Sequence, residues 1–497
     1  MLARTRTLAI SGVEAVPVDA EIDIHRGLPA FTIVGLPDAA VRESRERVRA
    51  ALVNSGFDFP LQRITANLAP ADLRKAGPGY DLAIAAAILV ASEQLPGAPL
   101  EGWWLAGELA LDGGIRPLPG ALAMAERVER EGGRGFALPA ANSPEASLIE
   151  GPAIAALGSL SDLRALADGE IPSAPSPAPA GCIAAPPDLA DLKGQPGLRR
   201  GLEIAAAGGH AALVVGPPGS GKSMAARRLP SILPPLSRRE AIEVTRIASV
   251  AGRPSIDGAL ARRPFRAPHH TISAAGLVGG GSPPRPGEIT LAHRGVLFLD
   301  ELGEFSRATL EALRQPLEDG AVTISRARGA ATLPAAFQLF AAANPCPCGH
   351  GEDSARCRCT AERIRAYDAR LSGALADRID LVLAVEQPSA AALAGDPGET
   401  SAEVSARVFD AREAQRERLG EDRVNSSMSD AEIAASAELD REARSALIAG
   451  HGEHALSGRG WNRVIKVART CADLDGARNV GAEHIAEALS LRRREAP

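Results

Sequence analysis

The alternation of apolar and polar residues predicts three folded segments, of which the first covers residues 1–170. Apolar positions alternate between Ile22 and Val34, as they do in half-buried strands. The runs Asp38–Ser55 and Tyr80–Ser92 have the apolar spacing and small residues of helices. This mixture predicts an α+β domain.

A second segment, residues 188–395, follows a stretch in which no periodicity survives. That stretch, residues 171–187, reads IPSAPSPAPAGCIAAPP and has the Pro-, Ala- and Ser-rich composition of a linker. The apolar runs Ala211–Val215 and Gly295–Leu299 have the length of buried strands in a parallel sheet. Residues 188–395 are therefore predicted to form an α/β nucleotide-binding domain.

The third segment, residues 396–497, lacks strand signals and is rich in Ala, Glu and Arg. Its apolar residues recur at helical spacing, for example at Ala468, Cys471 and Ala472. We predict a helical lid. The sequence contains no internal repeat that we can detect.

Composition narrows the class of protein. The chain has 497 residues, of which 45% are hydrophobic and 23% charged, which excludes a disordered, collagenous or disulfide-scaffold protein. The net charge of −6 is not that of a protein that coats nucleic acid, so a polyanionic partner would be bound by a local basic patch. The longest apolar run, Leu82–Ala91, is too short to span a bilayer, and no leader-like pattern opens the sequence. We expect a cytoplasmic protein without a membrane partner.

The segment from Gly216 to Ser223, GPPGSGKS, matches the P-loop pattern and lies between a predicted strand and a predicted helix. In that motif backbone N–H groups surround the β-phosphate, Lys222 contacts the β- and γ-oxygens, and the Ser223 hydroxyl binds Mg²⁺. The alternative is a glycine-rich turn with an incidental lysine. The predicted nucleotide contacts are Gly216, Pro217, Pro218, Gly219, Ser220, Gly221, Lys222, Ser223 and Met224.

Two adjacent acids, Asp300 and Glu301, end the apolar run that begins at Gly295. Ligands of doubly wound sheets bind at the carboxyl ends of the strands. We therefore predict that Asp300 completes the Mg²⁺ shell and that Glu301 polarises the attacking water. A solvated strand end is the alternative.

Lys222 and Asp300 are 78 residues apart, whereas two βαβ units need only about 60. The surplus falls in residues 262–294, which combine glycines with positive charge, and a long loop of this kind is usually functional. Its arginines could instead pair with neighbouring acids. A second basic element is the predicted hairpin within residues 319–337. The candidate nucleic-acid contacts are Arg262, Arg263, Arg266, His269, His270 and Arg285 in the loop, and Arg326 and Arg328 at the hairpin tip.

Three further polar residues are candidates for the nucleotide site. Asn344 ends the apolar run Phe337–Ala343, where a group that positions water would lie. Arg378 and Arg459 are candidates for stabilising charge on the γ-phosphate, with ordinary surface salt bridges as the alternative.

Four cysteines, at positions 346, 348, 357 and 359, form two CxC pairs. Four thiols so close in sequence suit tetrahedral Zn²⁺, although CxxC spacing is more usual. We predict a structural zinc site with Cys346, Cys348, Cys357 and Cys359 as ligands, and His350 could replace one of them. Redox-active or free thiols are the alternatives.

Together these motifs resemble the YifB/ComM family of magnesium-chelatase-like AAA+ ATPases. The most specific segments are RPFRAPHHTIS at 262–273, NPCPCG at 344–349 and LSGRGWNRVIKVARTCADLDG at 456–476. The resemblance implies that Asn344 is sensor 1, that Arg378 is an arginine finger reaching a neighbouring subunit, and that Arg459 is sensor 2. It also implies a helix-2 insert at about 262–290 and a pre-sensor-1 hairpin at about 319–335, which line the pore in related hexameric helicases.

The first segment is similar to the Lon-protease-like (S5-like) domain. Its landmarks are KAGPGYD at 75–81 and GELALDGGIRPLPG at 107–120. Gly79 stands where the protease has its nucleophilic serine, and Met124 stands at about the position of its lysine. A dyad needs both groups, so we predict a scaffolding or DNA-contacting role without peptidase activity.

The resemblance implies an ATP- and Mg²⁺-dependent ring motor, a homo-oligomer that is hexameric with ATP and DNA. Its expected work is branch migration of recombination intermediates in natural transformation, with DNA and recombination-pathway proteins as partners. A chelatase-type motor that remodels a protein is the second hypothesis. An ATP-dependent protease is the third and is disfavoured by Gly79 and Met124.

Overall fold

The computed structural model describes residues 1–173, 187–253, 262–281, 284–326, 329–351, 355–371, 375–454 and 456–492. Most of the predicted linker, residues 171–187, lies outside these ranges. So do Arg328 and the end of the chain from residue 493.

The N-terminal domain is a mixed sheet with helices packed against it. Its strands are β1 (Leu2–Ser11), β2 (Glu14–His25), β3 (Ala30–Val34), β4 (Arg63–Ala69), β5 (Trp103–Leu105), β6 (Glu108–Leu109), β7 (Ile115–Arg116), β8 (Gly135–Pro139) and β9 (Ala153–Leu157). Its helices are α1 (Ala39–Asn54), α2 (Asp81–Ala91), α3 (Ala121–Arg130), α4 (Ser143–Ala146) and α5 (Leu163–Ala167). Seven strands form one sheet in the order β3-β4-β2-β1-β5-β8-β9, and β6 pairs with β7.

The core of this domain lies around α2. All residues of α2 except Val90 are buried, because its continuous run of Ala, Leu and Ile offers no polar face to water. Helix α1 begins after Asp38, whose carboxylate accepts the Val41 N–H at 2.9 Å and thereby satisfies a free donor of the first turn. Both helices predicted from the sequence in this segment are therefore confirmed.

The central domain contains a parallel sheet whose strand order is β11-β14-β17-β10-β18. Its strands, with two small hairpins, are β10 (Ala212–Val215), β11 (Phe265–Arg266), β12 (Gly279–Gly280), β13 (Arg285–Pro286), β14 (Val296–Leu299), β15 (Ala321–Arg326), β16 (Gly329–Pro334), β17 (Gln338–Ala343) and β18 (Leu381–Ala384). Its helices are α6 (Pro196–Gly208), α7 (Lys222–Ile232), α8 (Arg238–Val250), α9 (Ala274–Val278), α10 (Glu288–Leu291), α11 (Arg307–Glu311), α12 (Arg314–Asp319) and α13 (Ala361–Leu371). The strands predicted to end at Val215, Leu299 and Ala343 are confirmed.

Two elements project from this sheet domain. Between β11 and β14 the chain forms α9, the β12–β13 pair and α10, which is the insert predicted from the chain length. Strands β15 and β16 form the second hairpin, and residues 327 and 328 at its tip lie outside the described residues. Leu277 of the insert and Ile324 of the hairpin belong to one apolar cluster, so the two elements pack together.

The C-terminal domain is helical. Its helices are α14 (Ala390–Ala394), α15 (Ser401–Leu419), α16 (Asp430–Ser436), α17 (Arg441–His454), α18 (Gly458–Leu474) and α19 (Ala482–Ser490). Helices α15 and α18 pack on α6. His210, which is fully buried, connects the domains: its Nδ1 lies 3.1 Å from Asp380 Oδ2, and its Nε2 lies 2.8 Å from Thr470 Oγ1. This polar link fixes α18 to the amino ends of β10 and β18.

The N-terminal domain contacts the central domain through α8. Arg246 Nη1 lies 2.9 Å from Glu126 Oε2, and the Gly120 N–H donates to the Ser249 carbonyl at 3.1 Å. Val13 belongs to the same apolar cluster as the β15–β16 hairpin. No helix in the described part of the chain combines the length and the apolar composition that a membrane span requires.

The buried carboxylate of Asp473 gives a test of the helical domain. Its side chain is 2% exposed and accepts hydrogen bonds from Arg418 (2.7 Å), Asn425 (2.7 Å) and Arg469 (3.1 Å). Asp473→Ala leaves two guanidinium groups without that carboxylate, so we expect the free energy of unfolding to fall by about 3–5 kcal/mol. Urea denaturation followed by circular dichroism measures this.

The matched control is Glu413→Ala, which removes an exposed ion pair with Arg416 on α15. We expect a change within about 0.5 kcal/mol for this control. Equal effects of the two substitutions would contradict the stabilising role of the Asp473 cluster.

Candidate nucleotide site and thiol cluster

The loop between β10 and α7 has the backbone of an anion-binding cradle. Gly219 and Gly221 have φ of +78° and +91°, in the left-handed region that favours glycine. A Cβ on Gly216 would lie 2.4 Å from the Val385 carbonyl oxygen, so only glycine fits there. Helix α7 begins at Lys222, and the free N–H groups of its first turn favour a phosphate. The backbone of this loop therefore suits the phosphate groups of the nucleotide that the P-loop motif predicts.

The Lys222 ammonium group is buried beside this loop. It donates to the carbonyls of Gly216 at 2.6 Å and Pro217 at 2.9 Å, and to Asn344 Oδ1 at 3.2 Å. Burial lowers the pKa of Lys222, while the charges of Asp300 and Glu301 act in the opposite direction. Asn344, predicted to lie at the nucleotide site, is thus in contact with the P-loop lysine.

The two predicted magnesium ligands lie side by side. Ser223 Oγ donates to Asp300 Oδ2 at 2.7 Å. Hydroxyl and carboxylate oxygens are the hard ligands that Mg²⁺ prefers, usually together with water and substrate phosphates. These two groups would hold Mg²⁺, which would neutralise charge on the phosphates.

Glu301 lies next to this pair in an unusual backbone conformation. Its φ of +53° is uncommon for a residue other than glycine, and its N–H donates to Asp300 Oδ1 at 3.0 Å. The side chain is 55% exposed, and its Oε2 lies 3.4 Å from His270 Nδ1. An accessible carboxylate beside the predicted metal ligands is suited to act as a general base.

His270, one of the predicted nucleic-acid contacts, lies against Glu301 in the structure, and its role toward nucleic acid stays a prediction. Its ring lies 4.1 Å from that of His269 and 6.4 Å from that of Phe305, measured between centroids. Sequence reasoning missed this contact, because 30 residues separate His270 from Glu301 in sequence. No local sequence pattern indicates this contact, because it depends on the pairing of β11 with β14, which brings the segment after Arg266 to the same edge.

Two predicted nucleic-acid contacts, Arg263 and Arg266, form hydrogen bonds within the chain. Arg263 donates to the carbonyls of Pro234 at 2.6 Å and Arg294 at 2.8 Å, and burial lowers its pKa. Arg266 forms two hydrogen bonds with the Glu288 carboxylate, at 2.6 and 2.7 Å. The fold uses both guanidinium groups internally, because buried cations need local partners. The predicted contacts Arg262, His269 and Arg285 are exposed.

The two arginines predicted for the γ-phosphate are paired with acids. Arg378 contacts the Glu318 carboxylate, and its side chain is 10% exposed. Arg459 Nη1 lies 4.0 Å from Asp377 Oδ2, and its side chain is 67% exposed. Neither of these ion pairs involves the P-loop. The roles of Arg378 and Arg459 stay predictions.

The four predicted zinc ligands form one cluster. All four Sγ atoms lie within 4.8 Å of one another. Cys346 Sγ lies 3.3 Å from Cys348 Sγ and 3.8 Å from Cys357 Sγ. The backbone N–H groups of His350 and Arg358 lower the pKa of the Cys348 thiol to about 6. His350 contributes its backbone here, and the gathered donors are the thiols of Cys346, Cys348, Cys357 and Cys359.

Replacing the P-loop lysine tests the nucleotide site. Lys222→Ala removes charged hydrogen bonds to phosphate, each contributing about 1.5–3 kcal/mol, so we expect ATP affinity to fall about 100-fold. Equilibrium binding of a fluorescent ATP analogue measures this. The control is Arg227→Ala, an exposed residue of the same helix. Unchanged affinity of Lys222→Ala would contradict the assignment.

Three family descriptions match the chain. Residues 188–393 match "Magnesium chelatase, subunit ChlI", residues 20–142 match "Subunit ChlI of Mg-chelatase", and residues 398–492 match "Magnesium chelatase, subunit ChlI C-terminal". These matches together extend over most of the chain.

Similar proteins cover nearly the full length. The chain is 45% identical over 494 residues to "Uncharacterized protein YifB" of Escherichia coli (strain K12), covering 99% of this chain and 97% of that protein. It is 42% identical over 502 residues to "Competence protein ComM" of Haemophilus influenzae, again covering 99% and 97%. An uncharacterized protein of Mycobacterium tuberculosis is 44% identical over 496 residues. The chain therefore belongs to the YifB/ComM family of magnesium-chelatase-like AAA+ ATPases.

Proposed function

We propose that this chain is an ATP-driven ring motor on DNA that catalyses branch migration of recombination intermediates in natural transformation. The observation that carries the proposal is the contact of 3.4 Å between His270 and Glu301. It joins the insert, which carries exposed basic residues, to the carboxylate suited to activate water. A partner bound by the insert could therefore influence hydrolysis through one side chain. The name of the similar competence protein ComM supports natural transformation as the setting.

The proposed hydrolysis uses residues of two subunits. Lys222 and Ser223 bind the phosphates and Mg²⁺ with Asp300, Asn344 orients the water, and Glu301 accepts its proton. In a homo-hexamer, Arg378 would reach the nucleotide of the neighbouring subunit, exchanging Glu318 for the γ-phosphate. Arg459 would act from the helical lid of its own subunit. The pairing of Arg378 with Glu318 in the single chain is compatible with such an exchange.

We propose that the N-terminal domain has the Lon-protease-like fold and acts as a scaffold or DNA contact rather than as a peptidase. Gly79 provides no nucleophile, and Met124 is a buried apolar side chain. The nearby Lys75 is fully buried, and its ammonium group donates to the Pro70 carbonyl. A serine–lysine dyad requires a nucleophilic hydroxyl, which Gly79 does not supply.

A chelatase-type motor that remodels a protein partner is the second candidate. It is favoured by the family descriptions, which name magnesium chelatase for all three matched regions. The two candidates share the ATP site and differ in the partner. ATP turnover that DNA does not stimulate would favour the remodelling function.

Replacing Glu301 tests the mechanism of hydrolysis. Glu301→Gln keeps the size of the side chain and removes the base, so we expect ATP turnover to fall about 10²- to 10⁴-fold while ATP affinity stays nearly unchanged. A phosphate-release assay and analogue binding measure the two quantities. Glu304→Gln, an exposed neighbour, is the control. Turnover that survives in Glu301→Gln would assign the base to another residue.

The proposed DNA contact is tested on a labelled four-way junction. We expect the wild type to process the junction with ATP, and Arg326→Ala combined with Arg328→Ala to hydrolyse ATP without moving DNA. The double variant should also lose two phosphate contacts. We therefore expect the slope of log K for DNA binding against log salt concentration to become shallower by about 1.4–1.8. The control is Arg441→Ala combined with Arg444→Ala, which removes two exposed charges of α17.

Two outcomes of this experiment would contradict the motor. One is a wild type that shows neither DNA-stimulated hydrolysis nor junction processing. The other is a chain that sediments as a monomer in the presence of ATP and DNA. Processing by the Arg326 and Arg328 double variant at the wild-type rate would remove the hairpin from the proposal and leave the motor.

A further inference from the structure

The loop that carries the four cysteines lies directly against the P-loop. Its described residues are 346–351 and 355–360, and we call it the thiol loop. It begins two residues after Asn344, whose amide oxygen accepts from Lys222. Gly349, with φ of +86°, approaches Pro218 so closely that a Cβ would lie 3.0 Å from its Cγ and Cδ. The same Cβ would lie 3.9 Å from Asn344 Cγ. The thiol loop therefore packs directly on the P-loop.

The other end of the thiol loop also leads back to Asn344. Helix α13 begins two residues after Cys359 and carries Tyr367. The Tyr367 hydroxyl is hydrogen-bonded to the backbone of Asn344, and its ring packs so closely on Gly303 that a Cβ there would lie 2.3 Å from a ring carbon. Both ends of the thiol loop therefore contact the carboxyl end of β17, which lies between the P-loop and Glu301.

Apolar packing alone does not hold this loop in place. Among its described residues, 346–351 and 355–360, Cys346 and Gly349 are buried and the others are half-buried or exposed. Segments too small to build an apolar core are usually held by a metal or a disulfide. The four converging thiols are the groups that can supply such a cross-link.

Two of the distances between the thiols are close to those in a metal tetrahedron. Bonds of about 2.3 Å to one zinc ion place the sulfur atoms about 3.8 Å apart. The distances from Cys357 Sγ are 3.8 Å to Cys346 Sγ and 3.6 Å to Cys348 Sγ. The Gly351 N–H also points to Cys346 Sγ, at 3.2 Å, which stabilises a thiolate.

We propose that Cys346, Cys348, Cys357 and Cys359 bind one zinc ion, and that this ion holds the loop as a strut that fixes Asn344 and the P-loop in their nucleotide-binding arrangement. Each thiol loses its proton to solvent on binding, and four protein ligands leave no open position on the ion. Loss of zinc then releases Gly349 from Pro218 and Asn344 from Lys222. The inference rests on the ATP site of the proposed function and is independent of DNA.

The metal is tested on the full-length chain by elemental analysis. We expect one zinc per chain in the wild type and a small fraction of one in Cys348→Ser combined with Cys359→Ser. We also expect the affinity of this variant for a fluorescent ATP analogue to fall at least about 10-fold, because the phosphate ligands move. Cys471→Ala, which replaces a buried cysteine of α18, is the control and should retain both zinc and affinity.

A pair of glycine substitutions separates zinc binding from its effect on the nucleotide. Gly349 and Gly351 share a φ of +86°, so alanine strains the backbone equally at both. Alanine at 349 meets Pro218 at 3.0 Å, whereas alanine at 351 meets Pro345 at ordinary contact distances of 3.6 and 3.7 Å. We expect both variants to keep zinc and only Gly349→Ala to lose ATP affinity.

Each contrary outcome has its own meaning. A wild type without zinc, or with disulfides between these cysteines in peptide mapping, overturns the metal site. Zinc-free or Gly349→Ala protein that binds ATP as the wild type does overturns the strut. A wild type that holds zinc and binds no ATP overturns the strut together with the ATPase, while the metal site stands. ATP hydrolysis that DNA does not stimulate contradicts only the proposed DNA motor.

Discussion

The parallel pairing of β10, β14 and β17 is the constraint on which the candidate site depends. Parallel strands end at the same edge of a sheet, so the P-loop, the acidic pair and Asn344 meet there. β17 lies between the other two strands, and this order brings Asn344 within 3.2 Å of Lys222 across 122 residues of sequence. The same pairing brings Ser223 within 2.7 Å of Asp300 across 77 residues.

Two neighbouring parts of the molecule are attached to this edge and one to the opposite end of the strands. The insert reaches it through His270, and the thiol loop reaches it through Gly349. The helical domain is held at the amino ends of β10 and β18, through the hydrogen bonds of His210 with Asp380 and Thr470. A change at the nucleotide edge therefore acts directly on the insert and the thiol loop, and it reaches the helical domain through the packing of α15 on α7, the helix that follows the P-loop.

Much of the fold could be predicted because local patterns carry it. The strands ending at Val215, Leu299 and Ala343 are short apolar runs followed by turn or polar residues, and buried parallel strands have this pattern. Helix α2 was visible as a run of small apolar residues. The insert between β11 and β14 was detectable from chain length alone. The strands and α2 depend on residues close together in sequence, and the insert depends on the length of chain between two motifs.

The amino-acid sequence by itself determined the P-loop, the acidic pair and the cysteine array, because their chemistry resides in residues separated by only a few positions. Only the tertiary structure decided which basic residues within 262–294 have partners inside the chain. Arg263 donates to two backbone carbonyls, and Arg266 donates to the Glu288 carboxylate. His270 lies against Glu301. A sequence shows a charge but not the partner that neutralises it, because that partner is set by which distant segments the fold brings within hydrogen-bonding distance.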